Sequence, residues 1–239
     1  KYQSDFWIDS TGFKRLLITK LGAKWKNYND YLKLNHAIAF QTEDTDNYNV
    51  YTLAKAMKYG WMWRVPVYGR WGNGYIFDDT CIDAEQAQKE VEEYLGYKVN
   101  IFKDIKFDPG ALDKVWIKNC MAVGLSHSFI EPLESTALYM THEAISNFVR
   151  LLKSSNCYLN ALEKDALKVQ SRELTLSMAN FVLFHYLLSR RDDSEYWRYM
   201  TNVESDVFVS EVMSTMMTKR FGAFDRLLKE KGDGMIYVM

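Results

Sequence analysis

Cysteine is scarce in this sequence: Cys81, Cys120 and Cys157 are the only three in 239 residues. They are far apart and odd in number, which argues against a disulfide framework and a zinc site and fits a reducing cytoplasm. Neither sign of charge dominates, since 30 Lys and Arg stand against 31 Asp and Glu. Nothing therefore marks a nucleic-acid footprint or a membrane-surface patch. No apolar run reaches the roughly 18 residues that a membrane span needs. The first residues also lack the charged-then-apolar pattern of a signal peptide. His127 and His142 have no partner cluster, so no metal is expected. The glycines of "GRWGNGY" do not make a dinucleotide fingerprint. With no G-x-S-x-G or phosphate-binding loop either, hydrolase and phosphoryl-transfer chemistry have no motif behind them.

Aromatics are abundant: 13 Phe, 16 Tyr and 7 Trp make up 15% of the chain. They predict either a rich core or a site for a flat ring. The length allows one large domain or two modest ones. "KYQSDFWIDSTGF" opens on the approach to a strand and "GMIYVM" closes on an apolar run. Both ends read as cuts within a longer protein.

Punctuation and periodicity predict the elements. Asp5–Gly12 reads as a short buried strand closing on a Ser-Thr-Gly turn. Residues 36–43, 74–78 and 100–107 also read as strands, the last with Ile101, Ile105 and Phe107 on one face. Tyr51–Lys58 reads as helix, because Leu53, Ala54 and Met57 fall at helical spacing. Asp83–Gly96 is a punctuated helix: Asp83 and Gln86 form a capping box, and Gly96 suits the left-handed C-terminal position. Its buried stripe is Ala84, Ala87, Val91, Tyr94 and Leu95. After Thr136 the pattern turns helical, with a stripe of Ala144, Ile145, Phe148, Val149 and Leu152. Longer helices follow over Leu162–Ser189 and Ser205–Lys231. Strands dominate to about residue 110 and helices afterwards, a two-layer mixed region followed by a helical one.

Two stretches invite chemistry. In "GWMWRVP" (Gly60–Pro66), Trp61 and Trp63 are two apart, so an extended chain puts both indoles on one side. A hairpin with two core tryptophans explains the same spacing. In "GLSHSFIEPLESTALYM" (Gly124–Met140), Pro132 disfavours helix at Glu131. A helix starting near Ser135–Thr136 has free N–H groups and a dipole that attract an anion. Glu134 sits just before them. It either caps that helix or faces an apolar cavity, where burial makes it a proton acceptor near neutrality. The "RRDD" of "HYLLSRRDDSEYW" reads as a helix end and a capped turn.

Together these stretches resemble one family. "GWMWRVP" is similar to the W-x-W-x-I-P signature of flavin-dependent halogenases, the tryptophan halogenase family, with Val65 where Ile is usual. "GLSHSFIEPLEST" resembles that family's active-site segment, "DFWIDSTGFKRLLI" its FAD-fold strand and turn, and "HYLLSRRDDSEYW" a stretch of its helical domain. The resemblance implies an α+β or α/β chain. Residues 1–145 would be part of a flavoprotein-monooxygenase-like FAD-binding fold, and 146–239 a mainly helical substrate-side domain.

It further implies that FAD, reduced by a separate flavin reductase, works with O₂ and a halide ion to give hypohalous acid. That oxidant halogenates a small, electron-rich, indole-like aromatic. Glu134 takes the place of the family's catalytic glutamate, and Thr136 and Ala137 offer amides to the halide. Leu125, Ser135 and Leu138 fall at the cofactor. Trp61, Trp63 and Pro66 belong to the signature between flavin and substrate, which is thought to discourage simple monooxygenation. The family's G-x-G-x-x-G and its lysine are absent here, Ala137 stands where several members have Gly, and the substrate-reading segment stops short at Met239. The location expected is the cytoplasm, with neither nucleic acid nor membrane as partner, and a homodimer is permitted. A hydroxylating monooxygenase of related fold and a non-catalytic aromatic-binding remnant are the competing readings.

Overall fold

The computed structural model describes residues 2–43, 51–156 and 158–203. The helix expected over 205–231 and Cys157 lie outside the described residues. In chain order the elements are β1 (Trp7–Asp9), β2 (Trp25–Asn27), β3 (His36–Glu43), β4 (Leu53–Met57), β5 (Gly60–Val67), β6 (Arg70–Phe77), α1 (Ala84–Leu95) and β7 (Ile101–Lys106). There follow β8 (Gly110–Leu112), β9 (Trp116–Ile117), β10 (Cys120–Ala122), β11 (Ser128–Phe129), α2 (Thr136–Ser154), α3 (Ala161–Leu187) and α4 (Glu195–Met200). Strands thus continue to Phe129 rather than fading near 110. No described helix is long and apolar enough to cross a membrane.

The chain forms two compact units, each built from two stretches: Lys1–Leu32 with Phe107–Leu183, and Lys33–Lys106 with Phe184–Met239. The division expected at residue 145 falls inside α2.

In the first unit, β1 pairs in parallel with β10, and β9 closes that sheet. A second small sheet runs β11-β8-β2. Val115, Trp116, Met121 and Val123 pack with Ala144 and Phe148 of α2 and with Leu167 of α3. Phe6 stacks on Phe148 at 5.1 Å. The α2 stripe is narrower than its sequence suggests: Ala144 and Phe148 are buried, but Ile145 and Val149 are 45% and 40% exposed. The Phe6–Trp116–Phe148 ring cluster receives only one edge of the helix.

In the second unit a five-stranded sheet runs β4-β5-β6-β3-β7. One face buries Ile38, Phe40, Met62, Tyr75 and Phe77 against Ala87 and Val91 of α1. The capping box of α1 is present in full, and Gly96 ends the helix left-handed at φ 79°. Tyr94, expected in the stripe, is 44% exposed, with the Lys55 ammonium 5.4 Å over its ring.

Residues 53–57 are strand, not the helix their spacing predicts. β4 pairs with β5 so that Ala54 meets Trp63 and Ala56 meets Trp61. Small residues facing indoles, joined by the two-residue turn Lys58–Tyr59, outweigh a five-residue helical spacing. On β7, Ile101 and Ile105 do not share a face. A register shift between Ala39 and Phe40 sets Ile101 beside Phe40 but Ile105 beside Ala37, on the opposite side. Phe107 lies beyond the strand. After α3 the chain turns through Arg191, whose guanidinium pairs with Asp193, and Ser194 caps α4 through the Trp197 amide. That is the capped turn expected of "RRDDS".

Candidate active site

The stretch before α2 is anchored by burial. Ile130, Glu131, Leu133 and Thr136 are all at most 2% exposed. Pro132 (φ −76°) opens a single 3₁₀ turn over Leu133–Ser135. Inside it Glu134 (φ 58°) and Ser135 (φ 53°) are both left-handed. Two successive non-glycine residues in that region cost about 1 kcal/mol each, and such outliers cluster at functional sites. The Thr136 hydroxyl donates to the Glu131 carbonyl at 3.2 Å, and the Ser135 amide to Pro132 O at 3.2 Å.

Ser135 is therefore the N-cap of α2, yet its side chain makes no capping hydrogen bond. No acidic residue lies in the first turn of this 19-residue helix. The Thr136 amide donates to the Leu133 carbonyl and closes the 3₁₀ turn, and the amides that follow it in the first turn keep the anion-seeking character of a helix start. Glu134 is half-buried, and burial raises its carboxyl above the ordinary 4.5. Ala137 is half-buried, while Leu138 is 74% exposed and leaves an apolar surface beside these amides.

Leu125 sits half-buried in the short turn Gly124–Ser126 that follows β10, and this turn packs against α2 near Thr141. Sequence reasoning passed over the group that holds the turn. Asp9, fully buried at the end of β1, accepts from the Thr11 amide and hydroxyl at 3.1 and 2.6 Å. It also accepts from the Leu17 and Ile18 amides at 2.9 and 2.8 Å. Burial alone would raise its pKa, but these donors together hold it below the ordinary value. The Ser126 hydroxyl is shared between this carboxylate and the Gly12 carbonyl, at 3.3 and 3.1 Å. An acid ending a short strand before Ser-Thr-Gly was the available signal. The parallel strands β1 and β10 thus end in adjacent turns, each with a left-handed glycine, Gly12 and Gly124. Ligands of open α/β sheets bind beyond such carboxyl ends.

His127 is structural. Buried between the Ser128 and Ser171 hydroxyls, each 3.3 Å away, it is pushed down to about 4 by burial. His142 is exposed beside Glu143 at 3.8 Å. No group of metal-binding side chains occurs among the described residues.

The tryptophan pair belongs to the other compact unit. Trp61 is buried and Trp63 half-buried on one face of β5, as the spacing of two predicts, with centroids 6.0 Å apart and planes at 61°. Pro66 lies on the same strand, opposite Trp71. So Leu125 and residues 134–138 share one unit, and Trp61, Trp63 and Pro66 share the second.

The tryptophan halogenase profile matches residues 1–232. The chain belongs to the tryptophan halogenase family. This halogenase-family chain is 32% identical over 200 residues to the 7-chloro-L-tryptophan 6-halogenase KtzR of Kutzneria sp. (strain 744), covering 81% of the chain and 38% of that protein. With the tryptophan 6-halogenase SttH of Streptomyces toxytricini it shares 31% identity over 202 residues, again 81% of the chain and 38% of the relative. The crystal structure of SttH matches with a TM-score of 0.80 at 27% identity, over 92% of this chain and 43% of that one. Xcc4156, a flavin-dependent halogenase from Xanthomonas campestris, matches with a TM-score of 0.82 at 28% identity, over 91% and 43%. The halogenase-family chain therefore spans less than half the length of these relatives. Its mixed α and β content is that of the family's solved members.

Proposed function

We propose that this chain carries the halide and proton-handling part of a flavin-dependent halogenase acting on a small, electron-rich, indole-like aromatic. One observation carries the reading: Ser135, the N-cap of α2, makes no side-chain capping bond, and a half-buried glutamate directly precedes it. The Ala137 amide holds a halide there, with the Thr136 amide, which also donates to the Leu133 carbonyl, beside it and the helix dipole behind both. Glu134, ionised, takes the ring proton or stabilises the positive charge that develops on the aromatic. The exposed Leu138, Ser135 and the Leu125 turn offer apolar and backbone surface to FAD, and the place of the Leu125 turn after β10 fits that cofactor. When bound, reduced FAD supplies the electrons and O₂ chemistry that convert halide to an electrophilic oxidant. Trp61, Trp63 and Pro66 line the approach to substrate. A separate flavin reductase, a reducing cytoplasm and a homodimer complete the reading.

The test is to supply the intact protein with FAD, a flavin reductase, chloride, bromide or iodide, and a panel of indoles. Mass spectrometry should detect halogenated products. Hydroxylated products alone would sink the proposal in favour of a related monooxygenase. Glu134→Gln should lower halogenation by at least ~100-fold while FAD still binds. Because the working form of Glu134 is ionised and burial raises its pKa, the rate should fall, as pH drops, at a higher pH than an unburied glutamate would give. An unchanged rate in the variant would leave Glu134 a purely structural residue.

A further inference from the structure

Trp63 lies in a cross-strand row with Ala54 of β4, Gly74 of β6 and Ala39 of β3. In the neighbouring row, Trp61 meets Ala56 on one side and Ile76 on the other. Gly74 is the position without a side chain beside the half-buried indole. A Cβ built there would stand 2.1 and 2.2 Å from Cζ2 and Cη2 of Trp63 and 2.7 Å from Cε2. The indole thus leans across β6 and occupies the volume a side chain at 74 would need. Gly74 is not among the positive-φ glycines. Its backbone makes no demand for glycine, and glycine weakens a strand interior. The demand comes from the space taken by Trp63.

We propose that Gly74 is a positioning residue for Trp63. By lacking a Cβ it admits the indole over β6 beside Trp61, and this placement sets how much oxidant ends in halogenated product. The catalytic half of the proposal rests on the halogenase reading above, while the placement half stands on geometry alone.

The experiment compares wild type, Gly74→Ala, Trp63→Leu and the double variant of the intact protein. Two indoles 6.0 Å apart at 61° couple their electronic transitions, so wild type should show an exciton couplet in circular dichroism. Gly74→Ala should lose that couplet and melt about 5 °C lower, the order expected of overpacking. Its yield of halogenated indole per reduced flavin should fall at least ~10-fold, since small misplacements near a reacting site are costly. In the Trp63→Leu background the same alanine should change neither melting nor yield. An unaltered couplet in Gly74→Ala, or an equal effect of alanine in both backgrounds, overturns the placement. A lost couplet with unchanged yield overturns the catalytic half. Should Gly74→Ala fail to fold, a double variant that folds like Trp63→Leu supports the placement, and one that also fails overturns it. A wild type that halogenates nothing refutes the halogenase reading and with it the catalytic half, leaving the couplet and melting comparison to decide the placement.

Discussion

A residue with a Cβ adopts left-handed backbone only when its surroundings over-determine it, and Glu134 and Ser135 do so in succession. Ile130 and Leu133 are pinned in the core and Thr136 is tied to the Glu131 carbonyl, so the two residues between must absorb the turn. Pro132 announced a helix boundary in the sequence, but nothing local announced two positive φ angles, because neither residue type prefers them. The same geometry separates the two acids of "EPLES": Glu131 is 1% exposed, whereas Glu134 is only half-buried. Replacing Ser135 tests the strain. Ser135→Gly should match or slightly exceed wild-type stability, whereas Ser135→Val should lose about 2 kcal/mol, since a β-branched side chain clashes at positive φ. Urea denaturation reads both. A Val variant as stable as wild type would show that the turn is not strained.

Among the elements, α1 was the most legible, because its signals are local. Asp83 accepts from the Gln86 amide at 2.8 Å, and the Gln86 side chain accepts from the Asp83 amide at 3.0 Å. Asp83→Ala should cost about 1 kcal/mol, read from the shift of the denaturation midpoint. A cost near zero would mean that packing of Ala87 and Val91 alone sets the helix start. β4 was misread because Leu53, Ala54 and Met57 satisfy a helical period by coincidence, while Ala54 and Ala56 are small for the sake of indoles on another strand. The split of β7 was hidden for a similar reason. Its alternation is regular in sequence, and the flip between Ile101 and Ile105 comes from a bulge in the pairing with β3.

At the scale of the whole molecule, the buried polar groups decide how stability responds to conditions. His127 is held neutral by burial, at about 4 against an ordinary 6.5. The unfolded chain therefore takes up a proton below pH 6.5 that the folded chain refuses until about 4. Stability is unaffected above 6.5, falls through this window and levels off below it, by a total of about 3 kcal/mol. His127→Gln should flatten that part of the acid-side stability curve, as measured by urea denaturation at stepped pH. An equally steep curve in the variant would assign the acid loss to other groups. Folding also assembles each compact unit from two stretches of chain, an arrangement that depends on contacts between residues far apart in sequence.

What the sequence determined by itself is whatever depends on neighbours along the chain. The capping box of α1, the common side of Trp61 and Trp63 on an extended strand, and a helix beginning after Pro132 all follow from spacing and local sterics. The family resemblance was legible for the same reason, being carried by short contiguous motifs. Tertiary structure alone decided the left-handed pair at Glu134 and Ser135, the Asp9 carboxylate that joins two turns over a hundred residues apart, the strand at 53–57, and the fit of Trp63 over Gly74. Each depends on atoms brought close by folding from distant parts of the chain or pinned by the core, and the energy of such contacts leaves no periodic trace in the sequence.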